Sequence, residues 1–281
     1  MFEKRKLLIV SQHQKHKAFA PVLEEQLGVK VHVSTKINTD DFGTFSGEVD
    51  RKGTAIETAA AKCRAGLVAH QMDLGIASEG SYGPDPVLGF LPLAQETVVL
   101  IDLKNQLEIN ETLLSYQTNY QTEEVKEVES LVYFAKSIGF PEQGLILHAF
   151  QGAIRLKTLK DFNDFPSLER AFTELFQVKG ATYFRADTDM RAHRNPTRMQ
   201  LLNELAQRLT STIKRICPRC STPGFKVEQA VKGLPCQVCE MPTGSMLYQV
   251  LGCKKCAHEE KLYYPKGNRF EDPAYCDFCN P

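Results

Sequence analysis

Eight of the nine cysteines fall in the last quarter of this 281-residue chain, as four C-x-x-C pairs: Cys217/Cys220, Cys236/Cys239, Cys253/Cys256 and Cys276/Cys279. Two residues between paired cysteines let a tight knuckle present both sulfurs to one ion, and zinc holds four such thiolates tetrahedrally at about 2.3 Å. Eight thiolates therefore predict two closed, structural Zn2+ sites, since a filled tetrahedron leaves no position for substrate. An even cysteine count also fits a cross-linked secreted scaffold, but such chains are usually small and carry a signal sequence. Here MFEKRKLLIVSQHQKHK has an apolar run of only four residues, too short for a signal core. No stretch approaches the roughly 18 apolar residues of a membrane span. The expectation is a cytoplasmic protein with no membrane partner.

Hydrophobic residues make up 42% and charged residues 24%, and 34 Lys/Arg balance 34 Asp/Glu. That balance marks no global affinity for nucleic acid or anionic membrane. The tail sharpens the point: residues 211–281 hold ten Lys/Arg and seven Asp/Glu, and eight thiolates with two Zn2+ bring the loaded module to about −1. Nucleic-acid binding is not favoured, because such ribbons usually carry a basic excess.

Periodicity organises the rest. KLLIVS (6–11) and VKVHVST (29–35) read as strands around a helix over 15–28 that stops at Gly28. INTDDFGTFSGEVDRKG (37–53) reads as a long loop with room for a small hairpin, and an alanine-rich helix covers 54–71. LGIAS (74–78) is a buried strand that EGSYGPDP (79–86) breaks, and TVVLIDL with QLEINETLLSY forms an antiparallel hairpin. Helices over 123–139, 167–180 and 196–216 flank two strands, GLILHAF and AIRLKTL. The order points to a mixed-sheet α/β domain over residues 1–210, followed by a double zinc module over 211–281.

Three segments carry candidate chemistry. VSQHQKHKAF turns from strand to helix with Lys15 and Lys17, where a helix N-terminus and lysines favour phosphate; a solvated basic helix start explains it too. GTAIETAAAKCRA and GIASEGSYGP supply Glu57 and Lys62, five apart on one helix, with Glu79 and Ser81 beyond a strand. Carboxylates so placed can hold Mg2+ together with substrate phosphates, and a surface ion beside a glycine-rich turn is the plainer reading. Neither Ser78 nor Ser81 has the glycine setting of a nucleophile elbow, which excludes that serine hydrolase arrangement. DTDMRAHRNPTRM (187–199) packs Asp187, Asp189, Arg191, His193, Arg194 and Arg198 around Asn195 and Pro196, a natural cap and first residue for the longest helix. Capping and surface ion pairs account for Asn195, Pro196 and about half the charges; the aspartates are spaced like metal or lysine partners, and the arginines and His193 suit a clamp on phosphate or a base. Cys63, on the alanine-rich helix, is most economically a small core residue.

GTFSGE, ASEGSYGP and DTDMRAHRNPTRM, followed by the cysteine-rich tail, resemble a bacterial family defined only as a domain of unknown function. Across nearly the whole chain that likeness implies no activity. A more distant one is chemical. The motif order is similar to the inosine-triphosphate pyrophosphatase (ITPase) superfamily, which cleaves non-standard nucleoside triphosphates with Mg2+. VSQHQKHK stands where that family has T-x-x-N-x-x-K, IETAAAKC matches E-N-A-x-x-K-A, ASEGSYG resembles A-D-D-S-G-L, and AHRNP resembles its late His-Arg motif. This sequence lacks the asparagine of the first motif, has Ser78–Glu79 in place of the paired aspartates, and adds a zinc tail foreign to that superfamily.

That resemblance implies an ITPase-like three-layer α/β domain with a C-terminal zinc-ribbon-type module. It implies a Mg2+-dependent, pyrophosphatase-like hydrolase of a nucleotide or another phosphorylated small molecule. Glu57 and Glu79 would be catalytic and hold Mg2+, with Asp187 and Asp189 as further metal candidates. Lys15, Lys17, Lys62, Ser81, Arg191, His193, Arg194 and Arg198 would bind substrate. The alternative is a non-catalytic zinc-ribbon adaptor for protein or nucleic acid, with the α/β domain as ligand sensor. The cysteine spacing allows two sequential zinc sites or two interleaved ones. The flanks lean to interleaving, with the first and third knuckles strand-like and the second and fourth set between prolines.

Overall fold

In the computed structural model, which describes residues 1–42 and 53–281, the N-terminal apolar run forms β1 (Lys6–Val10) and leads into α1 (His16–Leu27). That helix ends at Gly28, whose φ of 65° is the left-handed conformation that glycine adopts without a Cβ penalty. After β2 (Lys30–Val33) and a short 3-10 turn, α2 (Ala55–His70) starts on a capping box between Thr54 and Glu57. β3 (Leu74–Pro84), β4 (Pro92–Asp102) and β5 (Leu107–Ser115) follow. The GTFSGE segment and the hairpin expected near it lie outside the described residues.

These strands make one mixed sheet in the order β2-β1-β3-β4-β5, with β1 parallel to both its neighbours and the β3-β4-β5 pairs antiparallel. Leu8, Val10, Ala77, Val99 and Ile101 pack with Ala59, Cys63 and Leu67 of α2. By the two-residue alternation of strands, Leu7 and Ile9 point the other way; they are equally buried, so the sheet is covered on both faces. Cys63 is fully buried in this core, which pushes its thiol up to about 12.

The strand expected to break after Ser78 does not break. Glu79 through Pro84 stay in β3 because each pairs with β4, out to Pro84 opposite Pro92. Gly80 and Gly83 are therefore strand residues here, and the turn lies beyond them. The helix expected from residue 123 starts only at Val128, since Thr122–Glu124 form β6 against β9.

A second sheet combines β6 (Thr122–Glu124), β7 (Leu145–Gln151), β8 (Ile154–Lys160) and β9 (Tyr183–Thr188) in the antiparallel order β6-β9-β7-β8. Helices α3 (Val128–Ile138) and α4 (Phe165–Leu175) bury Leu131, Phe134, Leu168 and Phe172 against Leu145, Leu147 and Ala186 on one face. Alternation places His148, Phe150, Arg185 and Asp187 on the other face. α5 (Pro196–Lys214) closes the helical set.

The chain divides into two compact units, Met1–Leu209 and Thr210–Pro281. Described by itself, the second is an antiparallel sheet of β10 (Lys226–Lys232), β11 (Met246–Gly252) and β12 (Glu259–Tyr263), with the knuckles in its connections and flanks. Among the described residues no helix is long and apolar enough to cross a membrane.

Candidate functional site

β1 is the strand at which the first sheet changes direction. The chain leaves it through α1 to β2 on one side and returns through α2 to β3 on the other. In open α/β sheets the crevice outside the carboxyl ends of such strands is where ligands bind, because the diverging connections leave it open. The parallel register sets Val10 opposite Ala77, so Ser11 and Ser78–Glu79 are the first residues past the paired ends.

Side chains from all three motif segments meet at this point. Lys15, next to the start of α1, donates from Nζ to the Ser78 carbonyl at 3.0 Å and to its hydroxyl at 3.2 Å. Lys62, from α2, meets Glu79 Oε2 at 2.5 Å, both side chains being nearly sealed from solvent. Arg198, from α5, donates to Glu96 of β4 through Nε at 2.7 Å and Nη2 at 3.3 Å, and also to the Met190 carbonyl. Its guanidinium lies over the Tyr82 ring, 5.2 Å from the centroid, and the Tyr82 hydroxyl bonds Glu96. Gly80 makes room for this group: a Cβ there would come within 2.6 Å of Arg198 Nη2 and 3.0 Å of Glu96 Oε1.

The cluster sets three cations against two carboxylates, which favours an anion. Desolvation, then the neighbouring Arg198 charge, bring Lys15 down to about 7. Ser11 Oγ and His16 Nδ1, at the same turn, are buried and have no hydrogen-bond partner among the described residues.

The third motif folds back beside the first. His193 stacks on His13 with centroids 5.3 Å apart. Asn195 caps α5 by accepting from the Arg198 amide at 2.8 Å. Asp189, wholly buried, is gripped by Arg191, which also bonds Asp161 at 2.6 Å. Arg194 donates to Asn163 at 3.0 Å and to the Phe162 carbonyl. Gly144 lets this turn approach β7, since a Cβ would sit 2.9 Å from both Asp189 and Arg194 side-chain atoms.

Asp187 has other partners: Arg185 at 2.8 Å, Thr122 at 2.7 Å and His148 Nε2 at 3.3 Å. Burial would raise its carboxyl, but hydrogen bonds from His148, Arg185 and Thr122 together hold it below the usual range. Glu57 is exposed and accepts from the Thr54 amide at 2.8 Å, chiefly through which it too is held low. Lys17 is exposed, and Ser81 lies in β3 opposite Gln95. The four expected Mg2+ carboxylates thus occupy four settings: a helix cap, the Lys62 pair, the His148–Arg185 group and the Arg191 fork. They form no common ion cage; among the described residues the sets of three or more metal-ligating side chains are the two four-cysteine groups.

Those groups are Cys217, Cys220, Cys253 and Cys256, and Cys236, Cys239, Cys276 and Cys279. Sulfurs of partner knuckles stand 3.7 and 3.6 Å apart in the first and 3.8 and 3.6 Å in the second. A tetrahedron with a centre-to-sulfur distance of about 2.3 Å has edges of about 3.8 Å. A disulfide would bring the sulfurs to about 2.05 Å. Both donor sets fit a divalent, thiolate-seeking ion. The pairing is interleaved, although the flanks expected to signal it do so only in part. The first and second knuckles share the same bridged frame, Ile216 with Pro223 and Pro235 with Pro242. In the first three knuckles the residue after the second cysteine (Ser221, Glu240, Ala257) is left-handed, and its amide bonds the first cysteine's carbonyl.

The profile of the family described as a domain of unknown function, DUF6671, matches residues 62–281. The chain belongs to that family. The DUF6671 span begins at Lys62 and so contains Glu79, Glu96, Arg198 and all eight knuckle cysteines; Lys15 and α1 precede it. No curated protein matches the chain. Within the DUF6671 region, sequence reading missed Glu96, Tyr82 and His148. Glu96 sits in a strand-like run, PLAQETVVL, where its one signal is a carboxylate between Gln95 and Thr97 at the edge of an apolar stretch. His148 likewise interrupts LILHAF.

Proposed function

We propose that the first unit binds a nucleotide or another phosphorylated small molecule at the β1–β3 switch point and hydrolyses its phosphate anhydride. The observation that carries this reading is the meeting of Lys15, Lys62–Glu79 and Arg198, drawn from three separate motifs, at one anion-favouring position. The resemblance of the motif order to the ITPase superfamily supports it, with Lys62 and Glu79 in the places of that family's helix lysine and acidic turn. In the proposal Lys15 and Lys62 take phosphate oxygens and stabilise the charge that develops on them, a role preorganised donors perform well in a desolvated site. Arg198 shapes the pocket and adds field. Glu79, released from Lys62 when the phosphate takes that partner, accepts the proton of the attacking water at its carboxylate. A Mg2+ ion entering on the phosphates would neutralise their charge, as such ions do with one or two protein carboxylates. In the proposal the His13 and His193 rings, stacked on each other, offer a flat face to a base.

The two four-cysteine groups we assign to structural Zn2+, on their sulfur spacing and all-thiolate donors, in a zinc-ribbon-type module. The test is purified protein with Mg2+ and a panel of standard and deaminated nucleoside triphosphates, following pyrophosphate and phosphate release. Release that Glu79→Gln abolishes is the expected result. A non-catalytic ligand sensor, the competing reading, gives thermal stabilisation by the same nucleotides with no release. Stabilisation without release defeats the hydrolase reading, and the absence of both defeats binding as well.

A further inference from the structure

The two four-cysteine centres have matching knuckles with opposite chemistry. In C-x-x-C the third residue rides at the knuckle tip. At the first centre those tips are Arg219 and Lys255; at the second they are Val238 and Phe278. Val238 is 71% and Phe278 61% exposed, so neither helps to build a core. The first centre has charged residues at the same positions, which shows that the knuckle does not require apolar tips. A lone exposed apolar side chain is ordinary. Here Tyr275, 73% exposed, precedes the fourth knuckle and Met241, also exposed, follows the second. Phe270 is tied to the same centre because Glu271 bonds Pro235 and Gln237 on both sides of Cys236. Five exposed apolar side chains therefore surround one four-cysteine centre.

The charge around them is one-sided. Glu240, Glu271, Asp272 and Asp277 belong to these segments, against Lys266 and Arg269. A divalent ion on four thiolates leaves a further net negative charge. The first centre is flanked instead by Lys214, Arg215, Arg219, Lys254 and Lys255, against Glu259 and Glu260. The near-neutral module is thus an average over a basic end and an acidic, apolar end. Phosphate backbones and anionic lipid surfaces are repelled by the second.

We infer that the apolar tips of the second four-cysteine centre, Val238 and Phe278, form a docking surface for a basic protein segment that anchors through apolar side chains. Interfaces concentrate their energy in a few apolar and aromatic anchors, while complementary charge around them selects the partner. The assignment is independent of any hydrolysis by the first unit.

The probe is a synthetic amphipathic peptide of leucine and lysine, with a leucine–glutamate peptide of the same pattern as its counterpart. Both are titrated by fluorescence anisotropy against the full chain loaded with zinc. The lysine peptide is expected to bind and to weaken as salt rises. The double variant Val238→Ser, Phe278→Ser should lose at least about tenfold in affinity, the scale of an anchor pair. Arg219→Ser with Lys255→Ser, the same positions at the first centre, should not weaken it. Metal content and circular dichroism report whether each variant keeps its fold. Failure of the lysine peptide to bind, equal binding by the Val238/Phe278 variant, or equal binding of the glutamate peptide overturns the inference. So does self-association by sedimentation that the Val238/Phe278 variant abolishes, which would make a second copy the occupant. Val238- and Phe278-dependent binding to phosphatidylserine vesicles or to single-stranded DNA, with none to the peptide, also overturns it.

Discussion

Lys62 Nζ lies 2.5 Å from Glu79 Oε2, with 7% and 9% of the two side chains exposed. One charge stands on helix α2 and the other on β3, so the pair ties the helix to the sheet at the crevice. Removing either partner leaves the other charge buried, which costs about 3–5 kcal/mol, whereas replacing both with apolar groups of similar size is much cheaper. Lys62→Ala and Glu79→Ala should each lower stability by about that amount in urea denaturation, and Lys62→Met with Glu79→Leu should recover most of it. Additive losses in the double variant would show that the two residues are not coupled. Hydrolysis by the Lys62→Met, Glu79→Leu protein should nevertheless be absent, since its fold survives without its chemistry.

If the first unit binds nucleotide as proposed, Lys15 should make that binding pH-dependent. Its pKa of about 7, lowered first by burial and then by the Arg198 charge, leaves it partly neutral at neutral pH. A phosphate beside it favours the protonated form, so binding above pH of about 7 should take up a proton. Calorimetry in buffers of different ionisation enthalpy measures that uptake, and Lys15→Met should remove it. For folding, the unfolded chain holds this proton more tightly than the native one between about pH 7 and the ordinary lysine range. Stability contributed through Lys15 therefore rises with pH across that window. No change in uptake in Lys15→Met would assign the proton to another group.

Glu96 pairs with the Arg198 guanidinium at 2.7 Å, with 1% of its side chain exposed. Glu96→Ala should cost about 3–5 kcal/mol by leaving Arg198 buried and unpaired. Gly80→Ala should act on the same group from the other side, because its Cβ would fall 2.6 Å from Arg198 Nη2. Displacing the guanidinium should cost about 1–3 kcal/mol, the usual penalty for overfilling a packed site. Thermal melts of both variants check this, and a wild-type melting temperature for Gly80→Ala would show that Arg198 yields freely.

Interleaved pairing gives a clear metal count. Cys217→Ser with Cys253→Ser strikes one centre and should leave one zinc per chain, while Cys217→Ser with Cys236→Ser strikes both and should lose two. Sequential pairing reverses the two outcomes. Elemental analysis of the purified variants distinguishes them.

Much of the fold was legible because its elements follow short-range rules. The apolar run at β1, the alanine-rich α2, the Asn195–Pro196 start of α5 and the β4–β5 hairpin each depend on neighbours a few residues apart. The errors came where distant partners overrule local signals. Gly80, Gly83 and Pro84 look like a turn, yet hydrogen bonding to β4 keeps them extended. Thr122–Glu124 looks like the start of a helix, yet its partner is β9, some sixty residues away.

The site divides the same way. Local sequence named Lys15, Lys62, Glu79 and Arg198, since charge at strand ends and helix starts is visible residue by residue. It could not say that Lys62 faces Glu79 while Glu57 turns to Thr54, or that the four acidic candidates would be dispersed among separate partners. Glu96, 102 positions from Arg198, was invisible because nothing in its own strand announces the partner.

The sequence by itself determined that eight thiolates would make two closed centres, because C-x-x-C spacing encodes a knuckle within four residues. Which knuckles share a centre was decided only by the tertiary structure, since that depends on how β10, β11 and β12 bring the connections together. The same folding put Arg219 with Lys255 at one centre and Val238 with Phe278 at the other. A near-neutral composition became two chemically opposed ends, because charge is summed along a chain but felt across a surface.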